Sequence, residues 1–326
     1  MILVTGATGH LGNVLVRQLV AKGVEVRTLV LPHDDTRVLE GLAVEQVQGD
    51  VLDPTSLRHA LSGVEVVYHL AGIISIMPGA ERLMRRVNIE GVRNVATAAR
   101  ETNVRRMVHV SSIHAFRRMP AGVVVDEAMP LALESPEGTY DYTKAMGTVA
   151  LLDAVRAGLD AVVVCPTAVI GPHDYRGSFL GNALLNFARR RLHFLIPGAY
   201  DFVDVRDIAQ GLQLAACQGQ PGEIYILAGT HASLIEVKTL IQGIARVHSA
   251  HVVLPWCVAM ACADLLQHVY RLTGIKPKYT PYSLCTLRDN AHFSSQKARH
   301  GLGFETRALE QTLGDLLLWH RSLQPA

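Results

Sequence analysis

The 326-residue sequence has little of several features that mark particular classes of protein. Its five cysteines are odd in number, and Cys257 and Cys262 lie five residues apart rather than at a Cys-x-x-Cys spacing. This usage argues against a disulfide framework and predicts reduced thiols, mostly buried because their neighbours are apolar. Charged residues make up only 18% of the chain, the net charge is +2, and no long lysine-arginine tract occurs. Nucleic acid is therefore not an expected partner.

Long hydrophobic runs are also scarce. The most apolar stretch, residues 252–266, is broken by Pro255 and Asp264 and is too short to span a bilayer. It predicts a helix in the core or along a substrate site rather than a membrane contact. The sequence begins directly with a strand-like MILVT and not with a targeting segment, so we expect a cytoplasmic protein. No metal site is predicted.

The first half of the chain alternates β-branched runs with helical patterns. Strands are predicted at 1–5, 24–30, 44–48, 65–70, 106–111 and 160–165. Helices are predicted between them, near 10–22, 54–62, 81–102 and 140–158. Such alternation predicts right-handed βαβ units, and therefore an α/β fold with a doubly wound, Rossmann-like parallel sheet.

A glycine-rich turn follows the first predicted strand. The stretch VTGATGHLG places Gly6, Gly9 and Gly12 at G-x-x-G-x-x-G spacing. Gly6 permits a tight turn, Gly9 lets a pyrophosphate approach the backbone, and Gly12 lets the helix pack closely on the strand. The pyrophosphate would bind the free N–H groups of the helix N-terminus. Because the glycines stand between a strand and an amphipathic helix, they predict a dinucleotide site rather than a turn without ligand.

Two further strand ends suit a dinucleotide. Asp50, after the third predicted strand, could accept a hydrogen bond from an adenine amino group, and the Val51 backbone could complete that contact. Taken alone, Asp50 is as readily interpreted as a loop residue or a helix cap. The stretch HLAG, residues 69–72, ends the fourth strand with small residues that let a ribose or diphosphate approach the backbone.

The pattern becomes less regular after residue 165. Residues 1–170 are predicted to form the nucleotide-binding domain. Residues 204–229, with a helix at 204–217 and a strand at 223–229, are predicted to return to its sheet. Residues 171–203 and 230–326 are predicted to form a smaller, mostly helical lobe that binds the substrate.

Several motifs together resemble the extended branch of the short-chain dehydrogenase/reductase family. In the family's order they are TGATGHLG, GDVLD, HLAG, VNIEGVRNV, HVSSIHAF, YDYTK, CPTAVIGP and FVDVRDIA. The resemblance implies a Rossmann-like domain, a C-terminal substrate lobe and a bound nicotinamide dinucleotide. The cofactor contacts predicted from the motifs are Gly6, Thr8, Gly9, His10, Leu11, Gly12, Asp50, Val51, Leu70, Ala71, Gly72, Tyr140, Lys144, Pro166 and Val169.

The catalytic signature of that family is Tyr-x-x-x-Lys with an upstream serine or threonine. Tyr140 and Lys144 match it, and Ser112 rather than Ser111 matches the hydroxyl. Helix residues i and i+4 share a face, so the Lys144 ammonium can lie near the Tyr140 phenol, whereas Tyr142 lies on another face. Positive charge from Lys144 and an oxidised nicotinamide is expected to lower the phenol's pKa. Tyr140 would then exchange a proton with the substrate oxygen while Ser112 hydrogen-bonds it.

The residues at the end of the second strand do not decide between NAD and NADP. Val30 and Leu31 stand where the family usually carries an acidic residue for NAD or an arginine for NADP. We predict NAD, because a 2′-phosphate without a cation is costly to bind, although His33 or Arg37 could reach such a phosphate and NADP remains an alternative. Asn88 matches a family asparagine that supports the site.

Differences from the family pattern limit the reactions that the chain is expected to catalyse. Ile113 and His114 replace the Asp-Glu pair of sugar-nucleotide dehydratases, which argues against dehydration. The sequence is most similar to dihydroflavonol reductase and hydroxysteroid dehydrogenase-like members, which act on apolar or aromatic carbonyl compounds. We therefore interpret the chain as an alcohol/carbonyl oxidoreductase acting on a small molecule. A nucleotide-sugar epimerase, with Arg176 contacting a phosphate, and a non-catalytic cofactor-binding sensor are the alternatives. The resemblance also implies a homodimer.

Overall fold

Twelve β-strands lie in the computed structural model, which describes residues 1–75, 79–120, 122–134, 138–190, 194–273, 280–289 and 291–323. In chain order they are β1 Ile2–Thr5, β2 Val26–Val30, β3 Val44–Gln48, β4 Val66–His69, β5 Arg106–Val110, β6 Ala161–Pro166, β7 Ala168–Ile170, β8 Phe194–Leu195, β9 Ala199–Asp204, β10 Ile224–Leu227, β11 Thr230–Ser233 and β12 Val252–Val253. Seven of them form one parallel sheet in the order β10-β6-β5-β4-β1-β2-β3. The strand order reverses at β1, so a ligand crevice is expected beyond the carboxyl ends of β1 and β4.

Helices cover both faces of this sheet, and α1, α2, α4, α5 and α7 supply most of the cover. In chain order, the helices of the described residues are α1 His10–Ala21, α2 Pro54–Leu61, α3 Glu81–Arg85, α4 Val92–Glu101, α5 Thr139–Arg156, α6 Phe179–Ala188, α7 Val205–Gln218, α8 Leu234–Ala245, α9 Trp256–Thr273, α10 Pro281–Arg288, α11 Gln296–Leu302 and α12 Leu309–Ser322. One π-helical segment, Arg86–Gly91, joins α3 to α4. The arrangement confirms the α/β, doubly wound architecture expected from the alternating pattern.

The apolar residues of the strands divide between two core layers. Val4, Val108 and Val164 face a layer that includes Leu15 of α1 and Leu212 of α7. Their chain neighbours Leu3, Met107 and Val163 face a second layer, which includes residues of α2, α4 and α5. Because both faces are buried, the strands consist of continuous apolar runs rather than alternating ones.

The later segments build a smaller assembly beside the sheet. Strands β11, β9 and β7 form a three-stranded sheet, and α6, α8 and α12 contribute to its apolar core. Helix α9 packs Ala259 and Ala263 against a separate small cluster, while Leu265 and Leu266 are exposed to solvent. Among the described residues, no helix combines the length and apolar character needed to cross a membrane.

The prediction that the cysteines are mostly buried is wrong. All five are free, but only Cys165 is buried, and Cys217, Cys257 and Cys262 are exposed. The two cysteines of α9 lie in an apolar stretch of sequence, yet they fall on the face of the helix that the protein does not cover. A local apolar sequence does not say which side of a helix meets the core.

Helix α5 approaches the π-helical segment closely at Gly147. A Cβ atom built at Gly147 would lie 2.3 Å from the backbone oxygen of Asn88 in the π-helical segment. A real Cβ cannot occupy that space, so the two backbones can approach only because residue 147 is glycine. This contact fixes the depth at which α5 packs.

We predict that Gly147→Ala destabilises the protein by about 1–3 kcal/mol, the usual cost of overpacking. Gly243→Ala in α8 is the matched control, because no atom lies within 4 Å of the Cβ position there. That change should leave stability equal or raise it by up to about 1 kcal/mol, since alanine favours helix. Denaturant unfolding of both variants tests the contact, and equal effects would contradict it.

Candidate active site

The glycine turn between β1 and α1 is shaped by two close backbone approaches. Gly6 has a φ of +68°, and a Cβ there would lie 2.7 Å from the backbone nitrogen of Ala71. A Cβ at Gly12 would lie 2.1 Å from the backbone oxygen of Gly6. Gly9 caps α1 without a side-chain hydrogen bond, and the first turn of α1 contains no acidic residue. The N-terminal N–H groups of α1 therefore remain available for an anion, and the turn fits a pyrophosphate.

The end of β4 brings the backbone close to Lys144. A Cβ at Gly72 would lie 3.8 Å from the Lys144 ammonium and 3.4 Å from Oδ1 of Asn88. The Lys144 ammonium donates a hydrogen bond of 2.9 Å to the backbone oxygen of Val110 at the end of β5. Burial lowers the pKa of Lys144 to about 8. The HLAG stretch and Lys144 thus meet at one point, where a ribose bound along Gly72 would contact the ammonium.

Asn88 holds the chain after β4 in place. Its side-chain amide accepts a 2.8 Å hydrogen bond from the Ile73 N–H and donates one of 2.9 Å to the Ile73 oxygen. It also donates to the Thr143 hydroxyl of α5 at 3.2 Å. The π-helical turn presents Asn88 to both partners, which ties the loop after β4 to α5.

The structure places Ser112, and not Ser111, next to Tyr140. The Ser112 hydroxyl interacts with the Tyr140 phenol and lowers the pKa of that group. Ser111 instead hydrogen-bonds the Thr148 hydroxyl at 2.7 Å, further along α5. Tyr142 points elsewhere, and the Arg85 guanidinium lies 4.7 Å from the centre of its ring. The two tyrosines therefore lie on different faces of α5, as their spacing along a helix predicts.

The acidity of Tyr140 differs from the expectation. Burial raises the pKa of Tyr140 to about 12, the Ser112 hydrogen bond lowers it only in part, and the Asp141 charge adds to the increase. Lys144 does not reverse this, because its ammonium is itself buried and bound to the Val110 oxygen. Lowering the phenol's pKa would therefore require a cation from outside the chain, as an oxidised nicotinamide would provide.

An acidic residue beside the glycine turn escaped the sequence analysis. The Thr8 hydroxyl donates a 2.5 Å hydrogen bond to Asp34, four residues beyond the end of β2. Arg176 donates to the Thr8 hydroxyl at 2.8 Å and forms an ion pair with Asp34. Arg176 therefore lies on the glycine-turn side of the protein rather than at a substrate phosphate. Arg37, the other candidate cation, pairs with Asp35 in solvent.

The loop that carries Arg176 is anchored to α1. His10 hydrogen-bonds the Pro172 oxygen at 2.9 Å, and Asn13 donates to the His173 oxygen at 3.1 Å. Burial lowers the pKa of His10, which keeps its ring neutral at that contact. The loop thus lies across the N-terminus of α1. In the sequence, Gly171-Pro172 predicts a turn at this point of the chain. It does not predict that the following loop packs against α1.

The remaining predicted cofactor residues lie along the same edge of the sheet. Asp50 accepts a 2.9 Å hydrogen bond from the Leu52 N–H through one carboxylate oxygen, as a turn residue does. Val51 is buried beneath Gly91. Pro166 ends β6, and Val169 lies in the short strand that follows. The contacts of these residues, and of Leu11, Leu70 and Ala71, with a cofactor remain predictions.

A cavity opens beside Tyr140. Its apolar lining includes Phe116, Met119, Val125, Tyr200 and Phe293. Its charged and titratable lining consists of His114, Arg117, Arg118, Asp141, Asp201 and Asp289. No residue of α9 contributes, so the apolar stretch at 252–266 is partly a core helix and not a wall of this cavity.

Asp201 closes the inner end of the cavity. Its carboxylate accepts hydrogen bonds of 2.7 Å from the Thr167 hydroxyl and from the Gly229 N–H. Burial raises its pKa. Within the described part of the chain, no group of three or more histidine, cysteine or acidic side chains is placed to hold a metal ion.

The sequence and the fold were compared with known proteins. Residues 2–228 match the model of the "NAD dependent epimerase/dehydratase family". The chain is 35% identical to sterol demethylase protein B of Methylococcus capsulatus over 98% of both chains. It is 28% identical to a putative dihydroflavonol 4-reductase of Synechocystis, over 98% of this chain and 94% of that one. The crystal structure of gox2253 superposes with a TM-score of 0.86 at 31% identity, covering 99% and 98% of the two chains.

These similarities extend along the whole chain and agree with the family indicated by the motifs. Members of the family are NAD-dependent oxidoreductases, dehydratases or epimerases, and a glycine turn that fits a pyrophosphate is what such a cofactor requires. The protein belongs to the NAD-dependent epimerase/dehydratase family, within the extended short-chain dehydrogenases/reductases.

Proposed function

We propose that the protein interconverts an alcohol and a carbonyl group on an apolar or aromatic small molecule, using NAD. The observation that carries the proposal is the juxtaposition of Tyr140 with Ser112, whose hydroxyl lowers the pKa of the phenol, beside buried Lys144 and next to the cavity that His114 and Asp141 line. Two hydroxyls and one ammonium at such a point suit proton transfer to a substrate oxygen. A homodimer and a division into a cofactor domain and a substrate lobe are parts of the same proposal.

The chain's own residues would perform the proton chemistry. When bound, the nicotinamide cofactor supplies or accepts the hydride. Tyr140 donates its phenolic proton to the carbonyl oxygen during reduction and takes a proton from the hydroxyl during oxidation. Ser112 donates a hydrogen bond to the same oxygen as its charge develops. Lys144 holds the ribose and places a positive charge near the phenol.

The charges of the cavity favour a substrate without phosphate groups. Its described lining holds two arginines and three carboxylates, and Arg118 already pairs with Asp141 and Asp289. A nucleotide diphosphate would have to leave water for a site with no excess of positive charge, which is unfavourable. The names of the two relatives, a sterol demethylase protein and a putative dihydroflavonol 4-reductase, also point to apolar molecules.

The family name keeps a nucleotide-sugar epimerase as the second candidate. An epimerase returns the hydride to its own substrate, so free cofactor is not consumed, whereas an oxidoreductase converts cofactor in equal amount to substrate. Absorbance at the reduced nicotinamide band distinguishes the two. The assay should include sterol, flavonoid, aliphatic ketone and nucleotide-sugar substrates, each with NAD and with NADP.

We predict that Tyr140→Phe lowers the reduction rate by about 10²–10⁴-fold, the usual contribution of a positioned acid. Tyr142→Phe is the matched control on the same helix and should leave the rate nearly unchanged, because its ring packs against Arg85. Steady-state kinetics on the best substrate of the panel measure both. Full activity in Tyr140→Phe would overturn the assignment of the acid.

We predict that Lys144→Met weakens NAD binding and slows turnover, each by about 10- to 100-fold, because a charged hydrogen bond contributes about 1.5–3 kcal/mol. Methionine keeps the apolar stem of lysine, so the packing of α5 is preserved. Fluorescence titration with NAD and single-turnover kinetics report the two effects separately. If binding and rate were both intact, the ammonium would have no part in the site.

We predict that Asp34→Asn shifts cofactor selectivity toward NADP by about tenfold, equivalent to about 1.4 kcal/mol. The carboxylate beside Thr8 would repel a 2′-phosphate, and its removal frees Arg176 to pair with that phosphate. Asp153→Asn is the control, since Asp153 pairs with Arg156 on the exposed surface of α5, away from the glycine turn. Binding titrations with both cofactors give the ratio, and an unchanged ratio in Asp34→Asn would mean that selectivity is set elsewhere.

A further inference from the structure

A buried charged cluster lies one residue beyond Tyr140. Asp141 is 1% exposed, and three side chains surround its carboxylate. Arg118 and the Tyr282 hydroxyl donate hydrogen bonds of 2.9 Å and 2.6 Å to it, and Nδ1 of His114 lies 3.0 Å from it. Burial alone would raise the pKa of Asp141, but these partners hold it below its usual value. Asp141 therefore stays ionised and fixes the His114 ring.

His114 touches both hydroxyl residues of the site. Its backbone N–H donates to the Ser112 hydroxyl oxygen at 3.2 Å. Its ring meets the Tyr140 ring edge-on, with 5.5 Å between the centroids. The side chain is 28% exposed and lines the cavity. Because Nδ1 lies 3.0 Å from the Asp141 carboxylate, Nε2 is the ring nitrogen that remains for a contact with another group.

The arrangement of His114 resembles a base held by a carboxylate. A carboxylate that accepts the Nδ1 proton fixes the neutral tautomer whose Nε2 is an acceptor, and it stabilises the imidazolium that forms when Nε2 takes a proton. In the described part of the chain, Nε2 makes no hydrogen bond to another protein group, so a water molecule or a substrate can approach it.

Tyr140 needs such a partner, because it is 8% exposed. After it has protonated a substrate, the phenolate must recover a proton from solvent. Burial and the adjacent Asp141 charge raise the pKa of Tyr140 to about 12, so a lasting phenolate is unfavourable. Lys144 is equally buried, and its ammonium is bound to the Val110 oxygen. The His114 ring, by contrast, contacts the Tyr140 ring and also lines the cavity.

We propose that His114, oriented by Asp141, exchanges protons between Tyr140 and solvent in each catalytic cycle. The inference rests on the proposed alcohol/carbonyl interconversion. Asp141 is then a positioning residue, and Arg118 and Tyr282 hold it in place. Among the residues that the structure describes, Asp289 also faces this cluster and is paired with Arg118.

The protons balance as follows. In reduction, the cofactor's hydride reaches the carbonyl carbon and the Tyr140 proton reaches the carbonyl oxygen. Protonated His114 then gives its Nε2 proton to the phenolate, directly or through one water molecule, and becomes neutral. Solvent in the cavity returns a proton to Nε2. Oxidation of an alcohol runs the same steps in reverse, and the electrons are carried by the nicotinamide alone.

The first test uses His114→Ala and His114→Asn. Asparagine can still donate a hydrogen bond to Asp141 but cannot carry a proton. We expect kcat to fall by about 10- to 100-fold in both variants, with NAD affinity unchanged, and a larger solvent isotope effect. Added imidazole should restore His114→Ala in proportion to its concentration, which a purely structural role would not produce. Wild-type kcat in His114→Asn, or failure of imidazole to restore His114→Ala that binds NAD normally, would overturn the proposal.

The second test needs neither cofactor nor substrate. Nitrogen-15 NMR of the histidines, assigned with His114→Asn, should show the Nδ1–H tautomer for His114 in the free protein. Asp141→Asn should abolish that preference. The opposite tautomer in the wild-type protein would refute the orientation by Asp141. If the wild-type protein neither reduces nor oxidises any substrate of the panel, the proposed function is wrong. The NMR measurement would still test whether Asp141 orients the His114 ring.

Discussion

The hydrogen bond from the Lys144 ammonium to the Val110 oxygen sets the register between α5 and the end of β5. A buried ammonium is costly unless its donors are satisfied, so this bond determines where α5 can sit. Ser112 follows Val110 by two residues, and Tyr140 precedes Lys144 by one helical turn. Once Lys144 meets Val110, the two hydroxyls must meet as well. Gly147 permits this approach by leaving room for the Asn88 backbone.

In the same register, neighbouring side chains of the first turn of α5 contact two different groups of residues. Tyr140 faces Ser112, while its neighbour Asp141 turns toward His114, Arg118 and Tyr282. A carboxylate adjacent to the phenol opposes its ionisation, and the Arg118 guanidinium, the Tyr282 hydroxyl and the His114 ring lie against that charge. The site therefore keeps an ionised group beside Tyr140 without leaving it unpaired, which a buried charge requires.

Much of the fold and part of the candidate site could be predicted from the sequence. The strands, their order along the chain and the glycine turn follow from local patterns. The spacing of apolar residues and the placement of glycines can each be recognised within a few residues of sequence. The choice of Tyr140 over Tyr142 follows from helix geometry alone. Asp34 could not be found this way, since its approach to Thr8 depends on the path of the loop after β2. In the sequence, His114 stands out only as a difference from the Asp-Glu pair of the dehydratases. Its partner Asp141 is distant in sequence, so no local pattern connects the two residues.

Two sets of ion pairs connect the early and late parts of the chain, and they differ in strength. At the glycine turn, Arg176 and Asp34 are 51% and 19% exposed, so solvent screens their pair and its contribution is small. At the cavity, the Asp141 side chain is only 2% exposed and holds three donors, so its contacts are costly to break. A molecule that binds at Thr8 can therefore displace the Arg176 contact at low cost, whereas the groups around Tyr140 keep their geometry. The groups around Tyr140 are thus held by their own contacts, and we expect the adjustment on binding a ligand to fall on the exposed pair of Arg176 and Asp34.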